Sequence, residues 1–455
     1  MDIVQHRSAA LRLLLAATLV VSAVHAQAAV IGAAAAEVSR STVLASGAPP
    51  QTPAQPSNRQ VTVAEVRSVH SKILDEDRDL QIALPETYGR TTTTYPVLFL
   101  LDGSSHLLHA AATARFLASA RNRIPEMIVV AIPNTNRNRD MTPGPGAGTF
   151  QRVLAEEIIP WVERNFRAAP ERVLFGHSLS GSFAVHTLLN RPELFDAYVA
   201  ASAPLWRYQG LADDMRAGLP RAAKARAAVY LSVGQHENAP LRDGVQKFAA
   251  ALKTAPREAA PAWSYADMPG EDHSSTPQRS LYTALESRYA AWRFPFFENE
   301  GELDQVGGLD ALVSHYWRLA DTFGYRAPPP EARLLQAGRI YIAAGRHDDV
   351  LKLAATYATD YPAMAEGLVN QVGYDQLQRG EVKRAVQTFE RNAGAFPDSP
   401  NVHDSLGDAY CRAGDAAAGR RSYQRAADVA ALRSPPHPRL DWYRDKATTG
   451  CASGK

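Results

Sequence analysis

The chain has 455 residues, 45% of them hydrophobic and 21% charged, with 49 basic and 47 acidic side chains for a net charge of +2. At about 150 residues per domain the length allows roughly three domains, and the composition excludes a largely disordered chain. The near-neutral charge argues against a nucleic-acid partner, and two cysteines, Cys411 and Cys451, are too few for a disulfide framework or a cysteine-rich metal cluster.

Arg7 and Arg12 flank the start of an apolar run from Leu13 to Val24, the layout of a secretory signal. The run is short for a ~20-residue membrane span. Val24-His25-Ala26 and Ala26-Gln27-Ala28 offer small-residue cleavage sites, so residues 1–28 are expected to be a signal peptide. No cysteine follows the run, which excludes a lipoprotein anchor. No later segment is apolar for long enough to form a stable membrane span, so the expected location is periplasmic or secreted. Residues 29–60 are rich in Ala, Ser, Thr, Pro and Gln and read as a flexible linker. Export would let Cys411 and Cys451 oxidise. Their spacing leaves open whether they are bridged or remain two thiols.

From 61 to 297, short apolar runs alternate with helical stretches, the pattern of an α/β sheet. Leu80 to Leu84 alternates in polarity. Val97 to Leu101, Met127 to Ile132, Val173 to Phe175, Tyr198 to Ala201 and Val229 to Val233 read as buried parallel strands. Helical spacing is expected over Leu107–Ala120, Phe150–Phe166 and Ser182–Leu189, the last stopped by Arg191-Pro192.

Residues 298–330 read as a connector built on a helix from Leu309 to Phe323 and ended by Pro328-Pro329-Pro330. Residues 331–431 repeat. Gly373, Gly380, Phe389 and Ala393 recur 34 positions later as Gly407, Gly414, Tyr423 and Ala427. Gly338, Gly345 and Tyr361-Pro362 precede Gly373, Gly380 and Phe396-Pro397 by 35. The period, the small residues and the closing prolines resemble the tetratricopeptide repeat. Such repeats commonly present a groove to peptides, so a protein or peptide partner is one expectation and a packing role is the other. Residues 432–455 form a tail.

The chemistry is expected in the α/β part. Gly176-His177-Ser178-Leu179-Ser180-Gly181 follows an apolar strand and opens a helix, as in the G-x-S-x-G nucleophile turn. That turn is sharp, so the residues two before and two after the serine must be small. Gly176 satisfies the first position, while Ser180 stands at the second. Ser178 is the candidate nucleophile. A Ser–acid–His chain order is then required. Glu237 leaves the end of the Val229–Val233 strand and is the candidate acid, with Asp243 as the fallback. His273 lies in the polar loop after Tyr265–Met268 and is the candidate base. His177 is its nearest rival, but its backbone is committed to the turn. Oxyanion donors are expected at Leu179 and in the Gly103–Ser104 neighbourhood. Asp102 could cap that turn. His236-Glu237 is not at H-E-x-x-H spacing, so neither metal nor cofactor is expected.

These segments together resemble the Putative esterase family of α/β hydrolases, over about Val66 to Phe297. That family includes trilactone siderophore esterases, feruloyl and acetyl-xylan esterases, S-formylglutathione hydrolases and mycolyltransferases. Six ordered blocks carry the likeness. Ser71-Lys72-Ile73-Leu74 with Arg78 is similar to the family's opening strand, and Tyr95 to Gly103 to its YPVLYLLDG block. Asn134 to Pro143 is similar to N-x-x-R-x-R-D-x-T-P, Gly176 to Gly181 to GHSLGG, and Ser202 to Trp206 to S-P-S-L-W. His273 to Pro277 with Ser280-Leu281-Tyr282 is similar to the block that carries the histidine. The departures are Ser180 for glycine and Ala203 near Trp206. The resemblance implies an α/β fold: a doubly wound α/β-hydrolase sheet, here followed by an all-α tetratricopeptide-like domain. It implies Ser178, Glu237 and His273 as a triad acting on a small-molecule ester. The Arg139-Asp140 loop is nearest to the siderophore-esterase branch. It could bring Asn134 and Arg139 to the pocket rim with Trp206, or Arg139 could pair with Asp140 to pin the loop. Two rival readings share these residues: an acyltransferase with the same triad, and a repeat-based interaction protein with a vestigial hydrolase part.

Overall fold

The structure is a computed structural model that describes residues 61–119, 122–325 and 327–453. The expected signal (1–28) and linker (29–60) lie outside the described residues. Eight strands form one sheet: β1 (Glu65–Ser71), β2 (Glu76–Ala83), β3 (Tyr95–Leu100), β4 (Ile128–Ala131), β5 (Ala168–His177), β6 (Ala197–Ala201), β7 (Ala228–Gly234) and β8 (Ala262–Met268). Their order is β1-β2-β4-β3-β5-β6-β7-β8. β1–β2 and β2–β4 pair antiparallel, and β3 to β8 run parallel. The helices of this part are α1 (Gly103–Ser119), α2 (Arg137–Met141), α3 (Pro145–Val153), α4 (Ile159–Asn165), α5 (Leu179–Asn190), α6 (Leu211–Lys224), α7 (Ala239–Thr254) and α8 (Thr276–Arg288).

Alternation along the central strands divides the core into two faces. Leu98, Leu100, Val173 and Phe175 point to the side covered by α1 and α8. Val97, Phe99, Leu174 and Tyr198 point to the side covered by α3 to α7. Helix cover on both faces explains why β3 reads as a continuous apolar run. β3 has β4 on one side and β5 on the other. The connections leaving β3 and β5 therefore depart in opposite directions, which opens a crevice at their C-terminal ends.

Two expectations for the α/β part change. Ser71-Lys72-Ile73-Leu74 is not a strand: β1 ends at Ser71 and the next three residues form the turn into β2. Glu157 holds this turn, accepting hydrogen bonds from the Ser71 hydroxyl and from the amides of Lys72 and Ile73. The expected single helix over Phe150–Phe166 is α3 and α4 joined by a π-helical turn, Leu154–Ile158. Pro160 supplies no N–H to the ladder at that point.

Beyond the sheet lie α9 (Glu300–Gln305), α10 (Gly308–Arg318) and α11 (Ala320–Phe323). The expected connecting helix is thus two helices. Leu312, Tyr316, Leu319 and Phe323 are buried in the core that holds Leu98 and Phe175, and that core continues through Leu334, Leu353 and Leu368. The sheet and the following helices therefore share apolar packing, and the described chain from Thr62 onward is one compact unit.

The repeating segment comprises α12 (Glu331–Ala343), α13 (His347–Thr356), α14 (Pro362–Gln378), α15 (Val382–Ala395), α16 (Pro400–Arg412) and α17 (Ala416–Ala431), and α18 (Leu440–Thr449) follows. The recurring residues do recurring work. A Cβ at Gly373 would strike the ring of Phe389, and one at Gly407 would strike Tyr423. Gly345, Gly380 and Gly414 have φ of +77°, +79° and +85° and end α12, α14 and α16 in the left-handed region that glycine favours. Among the described residues, no helix is long and apolar enough to cross a membrane.

Cys411 and Cys451 form a disulfide with a Cα–Cα distance of 5.2 Å and a separation of 40 residues. This resolves the alternative left open by their spacing. The bridge joins α16 to the turn after α18. A loop of that length corresponds to roughly 4 kcal/mol in the chain-entropy account. Denatured, unreduced protein is expected to show no thiol reactive to Ellman's reagent. Reduction is expected to lower the urea midpoint of the C-terminal helices.

Candidate active site

The strand–turn–helix at β5–α5 places Ser178 in an unusual backbone conformation, with φ 58° and ψ −124°. A residue held there costs about 1–3 kcal/mol and needs support from its surroundings. Support comes from the Ser178 amide, which donates to the Ala201 carbonyl at 2.9 Å. A Cβ at Gly176 would collide with the Ser180 carbonyl. A Cβ at Gly181 would lie 3.0 Å from the Ala201 carbonyl oxygen and 3.2 Å from Ala203 Cβ. The steric demand for glycine thus falls at 176 and 181, and serine fits at 180.

Three predicted side chains meet at this turn. Ser178 Oγ is 3.0 Å from His273 Nε2. His273 Nδ1 is 2.9 Å and 3.1 Å from the two carboxylate oxygens of Glu237. The Glu237 side chain is 1% exposed and that of His273 is 43% exposed. Each residue leaves the C-terminal end of a strand, β5, β7 or β8, which is why the three converge. Asp243 is exposed on α7. His177 packs its ring 4.6 Å from that of His273. Burial, then the neighbouring His273 and His106, push His177 down to about 3.

Leu179 is the first residue of α5, and Ser104 lies in the first turn of α1. Amides in a first turn have no acceptor within their own helix. The Gly103 amide donates to the Ile132 carbonyl at 2.9 Å, so of the expected pair the available donor is Ser104.

Asp102 does more than close a turn. Its Oδ1 accepts from Asn134 Nδ2 at 2.5 Å and from Arg137 Nε at 2.6 Å. Its Oδ2 accepts from Arg137 Nη2 at 2.9 Å and from Ser180 Oγ at 2.7 Å. Burial opposes the charge on Asp102, but the hydrogen bonds from Arg137, Ser180 and Asn134 hold its carboxyl below the ordinary value. Ser180 is fully buried and also accepts from the His177 amide at 2.9 Å. The carboxylate therefore ties the turn that carries Leu179 to the loop that carries Ser104. Ser180→Ala removes the hydroxyl from both partners and leaves the His177 amide without its acceptor. It is expected to lower stability by about 1–3 kcal/mol, measurable by urea denaturation.

Asn134, Arg139 and Trp206 are the residues expected at the rim. Asn134 is engaged with Asp102. Arg139 spends its guanidinium on Glu76, at 3.0 Å and 2.8 Å, and on Asp140, at 2.6 Å. Asp140 is buried and also pairs with buried Arg78 at 2.5 Å. Of the two pairings open for Arg139, the observed contacts are those that pin the loop. Trp206 is 52% exposed, in an apolar cleft with Leu205, Leu211, Met215, Pro240 and Phe248, and Arg207 stacks on it at 4.6 Å. Arg137 was not singled out from sequence. The loop carries two arginines, and only the contact with Asp102 distinguishes the one that reaches the turn.

The family described as Putative esterase matches residues 71–303, just over half of the chain. The chain is 32% identical over 183 residues to the siderophore enterobactin esterase of Emericella nidulans, covering 33% of this chain and 60% of that relative. It is 28% identical over 166 residues to the ferri-bacillibactin esterase BesA of Bacillus subtilis, covering 30% of this chain and 57% of that relative. It thus spans somewhat under two thirds of the length of either. Among solved structures, an IroE-like serine hydrolase from Shewanella oneidensis superposes with a TM-score of 0.51 at 26% identity, over 67% of this chain and 98% of that one. An uncharacterised protein from Capnocytophaga ochracea shares the fold over 85% of this chain and 98% of its own, with a TM-score of 0.50 at 15% identity. With its eight-stranded sheet, its flanking helices and this match, the chain belongs to the Putative esterase family of α/β hydrolases.

Proposed function

We propose that the protein is an exported serine hydrolase of carboxylic esters. The observation that carries the reading is the unbroken hydrogen-bonded chain from Ser178 through His273 to buried Glu237. In the reaction, Ser178 Oγ bonds to the ester carbonyl carbon as His273 Nε2 takes its proton. The carbonyl electron pair moves onto oxygen, which the amides of Leu179 and Ser104 receive. Glu237 holds the Nδ1–H tautomer and stabilises the imidazolium. Collapse breaks the bond to the leaving oxygen, which takes the proton back from His273. Water then repeats both steps on the acyl-enzyme and frees the acid.

The substrate class is a bulky ester of siderophore type. Support comes from the relatives named as a siderophore enterobactin esterase and a siderophore triacetylfusarinine C esterase. Export is supported by the Arg7–Val24 pattern and by the Cys411–Cys451 bridge, since disulfides persist in oxidising compartments. A fluorophosphonate probe tests the mechanism. Labelling of Ser178, identified by peptide mass, is the expected result, and its absence would favour the vestigial-hydrolase reading.

A further inference from the structure

We propose that His177 is a positioning residue for the proposed base: its ring backs the imidazole of His273 and fixes the reach from His273 Nε2 to Ser178 Oγ. The inference rests on the serine-esterase reading and adds a residue to it. Glu237 holds His273 at Nδ1 and Ser178 holds it at Nε2. Both contacts lie in the plane of the ring and resist tilting out of that plane only weakly. The His273 side chain is also 43% exposed, so little else confines it. A contact on the ring face supplies the missing restraint. His177 makes it, with ring centroids 4.6 Å apart and planes inclined by 46°.

The His177 ring is itself well held. Its amide donates to buried Ser180 Oγ at 2.9 Å, which fixes its main chain in the Ser178 turn. The buried His106 ring on α1 packs edge-on against it, with centroids 5.7 Å apart at 87°. His106 is in turn 3.0 Å from His109 Nε2 through its Nδ1, and edge-on to Phe175 at 5.3 Å. A hydrogen bond also joins His177 to the His273 backbone carbonyl. His273 is therefore gripped at its ring and at its main chain by the residue next to Ser178. Nucleophile and support for the base share one rigid turn, which holds their separation constant.

The chemical nature of the support matters too. His273 becomes a cation when it takes the Ser178 proton, and a charged neighbour at this distance would oppose that step. Burial, with the nearness of His273 and His106, keeps His177 uncharged at neutral pH. Its Nε2 is buried with no hydrogen-bond partner among the described residues. An apolar ring would avoid that cost, so packing alone does not account for an imidazole at 177.

The test uses the full chain, with p-nitrophenyl butyrate as substrate and a fluorophosphonate probe to count reactive serines. His177→Ala removes the ring contact and the hydrogen bond together. It is expected to lower kcat per labelled serine by about 10- to 100-fold, the scale of a small displacement between reacting groups, with KM within about twofold. His177→Leu fills the space without a flat ring or a donor and is expected to lose as much, so it decides the matter if His177→Ala fails to fold. His177→Phe restores the ring face alone and is expected to turn over severalfold faster than either. A native rate per labelled serine in His177→Ala or His177→Leu overturns the positioning role, because the loss would then be one of folded protein. A His177→Phe no faster than His177→Leu overturns the ring contact. Both results leave the esterase reading standing. Absence of labelling and turnover in the unsubstituted protein overturns that reading itself.

Discussion

Ser178→Ala is expected to lower kcat/KM on p-nitrophenyl butyrate by about 10⁴-fold or more, with the fold unchanged. The side chain makes one hydrogen bond, to His273 Nε2 at 3.0 Å, so little packing is lost with it. The backbone strain at φ 58° comes from the Cβ, which alanine keeps. Ser178→Ala and the native protein should therefore melt within a few degrees of each other. Ser178→Gly separates the two effects. It relieves the strain and is expected to raise stability by about 1 kcal/mol, while turnover is lost equally. Kinetics, fluorophosphonate labelling and calorimetry on the same three proteins check the prediction. Turnover retained in Ser178→Ala would remove Ser178 from the mechanism.

Parts of this candidate site are legible in the sequence because each candidate residue follows a strand-like run. β5, β7 and β8 announce themselves as Val173–Phe175, Val229–Val233 and Tyr265–Met268, and a parallel sheet gathers their C-terminal ends on one edge. Ser178, Glu237 and His273 then need only chain order to be singled out. The Asp102 network was not legible in the same way. Asp102, Asn134, Arg137 and Ser180 sit on three separate segments, and no periodicity relates them. Ser180 looked like a weakening of the glycine pattern. In the fold it is the residue through which the Ser178 turn is tied to the Asp102 loop. The boundary between sheet and helices was also hidden. Leu312, Tyr316 and Phe323 have helical spacing on any reading, and only three-dimensional packing shows that they share a core with Phe175.

Glu237→Gln carries the second large effect, an expected loss of about 10³- to 10⁴-fold in kcat with little change in KM. The glutamine is nearly isosteric, so the His273 loop keeps its packing. What changes is the acceptor. The Glu237 carboxylate offers both oxygens to His273 Nδ1, at 2.9 Å and 3.1 Å, from a side chain that is 1% exposed. An amide there presents either a neutral oxygen or an N–H. The first no longer stabilises the imidazolium formed when Ser178 loses its proton. The second forces the tautomer that puts the hydrogen on Nε2, where it faces the hydroxyl it must deprotonate. Both faults act in the transition state and neither acts on ground-state binding, hence the split between kcat and KM. Asp243→Ala is the control. Its carboxylate is exposed on α7 and is expected to leave kcat within about twofold, because a solvated charge beyond hydrogen-bond range is largely screened. Steady-state kinetics on the two variants decide between them. A severe Asp243→Ala with a mild Glu237→Gln would move the acid to α7 and would require His273 to turn away from the pairing seen here.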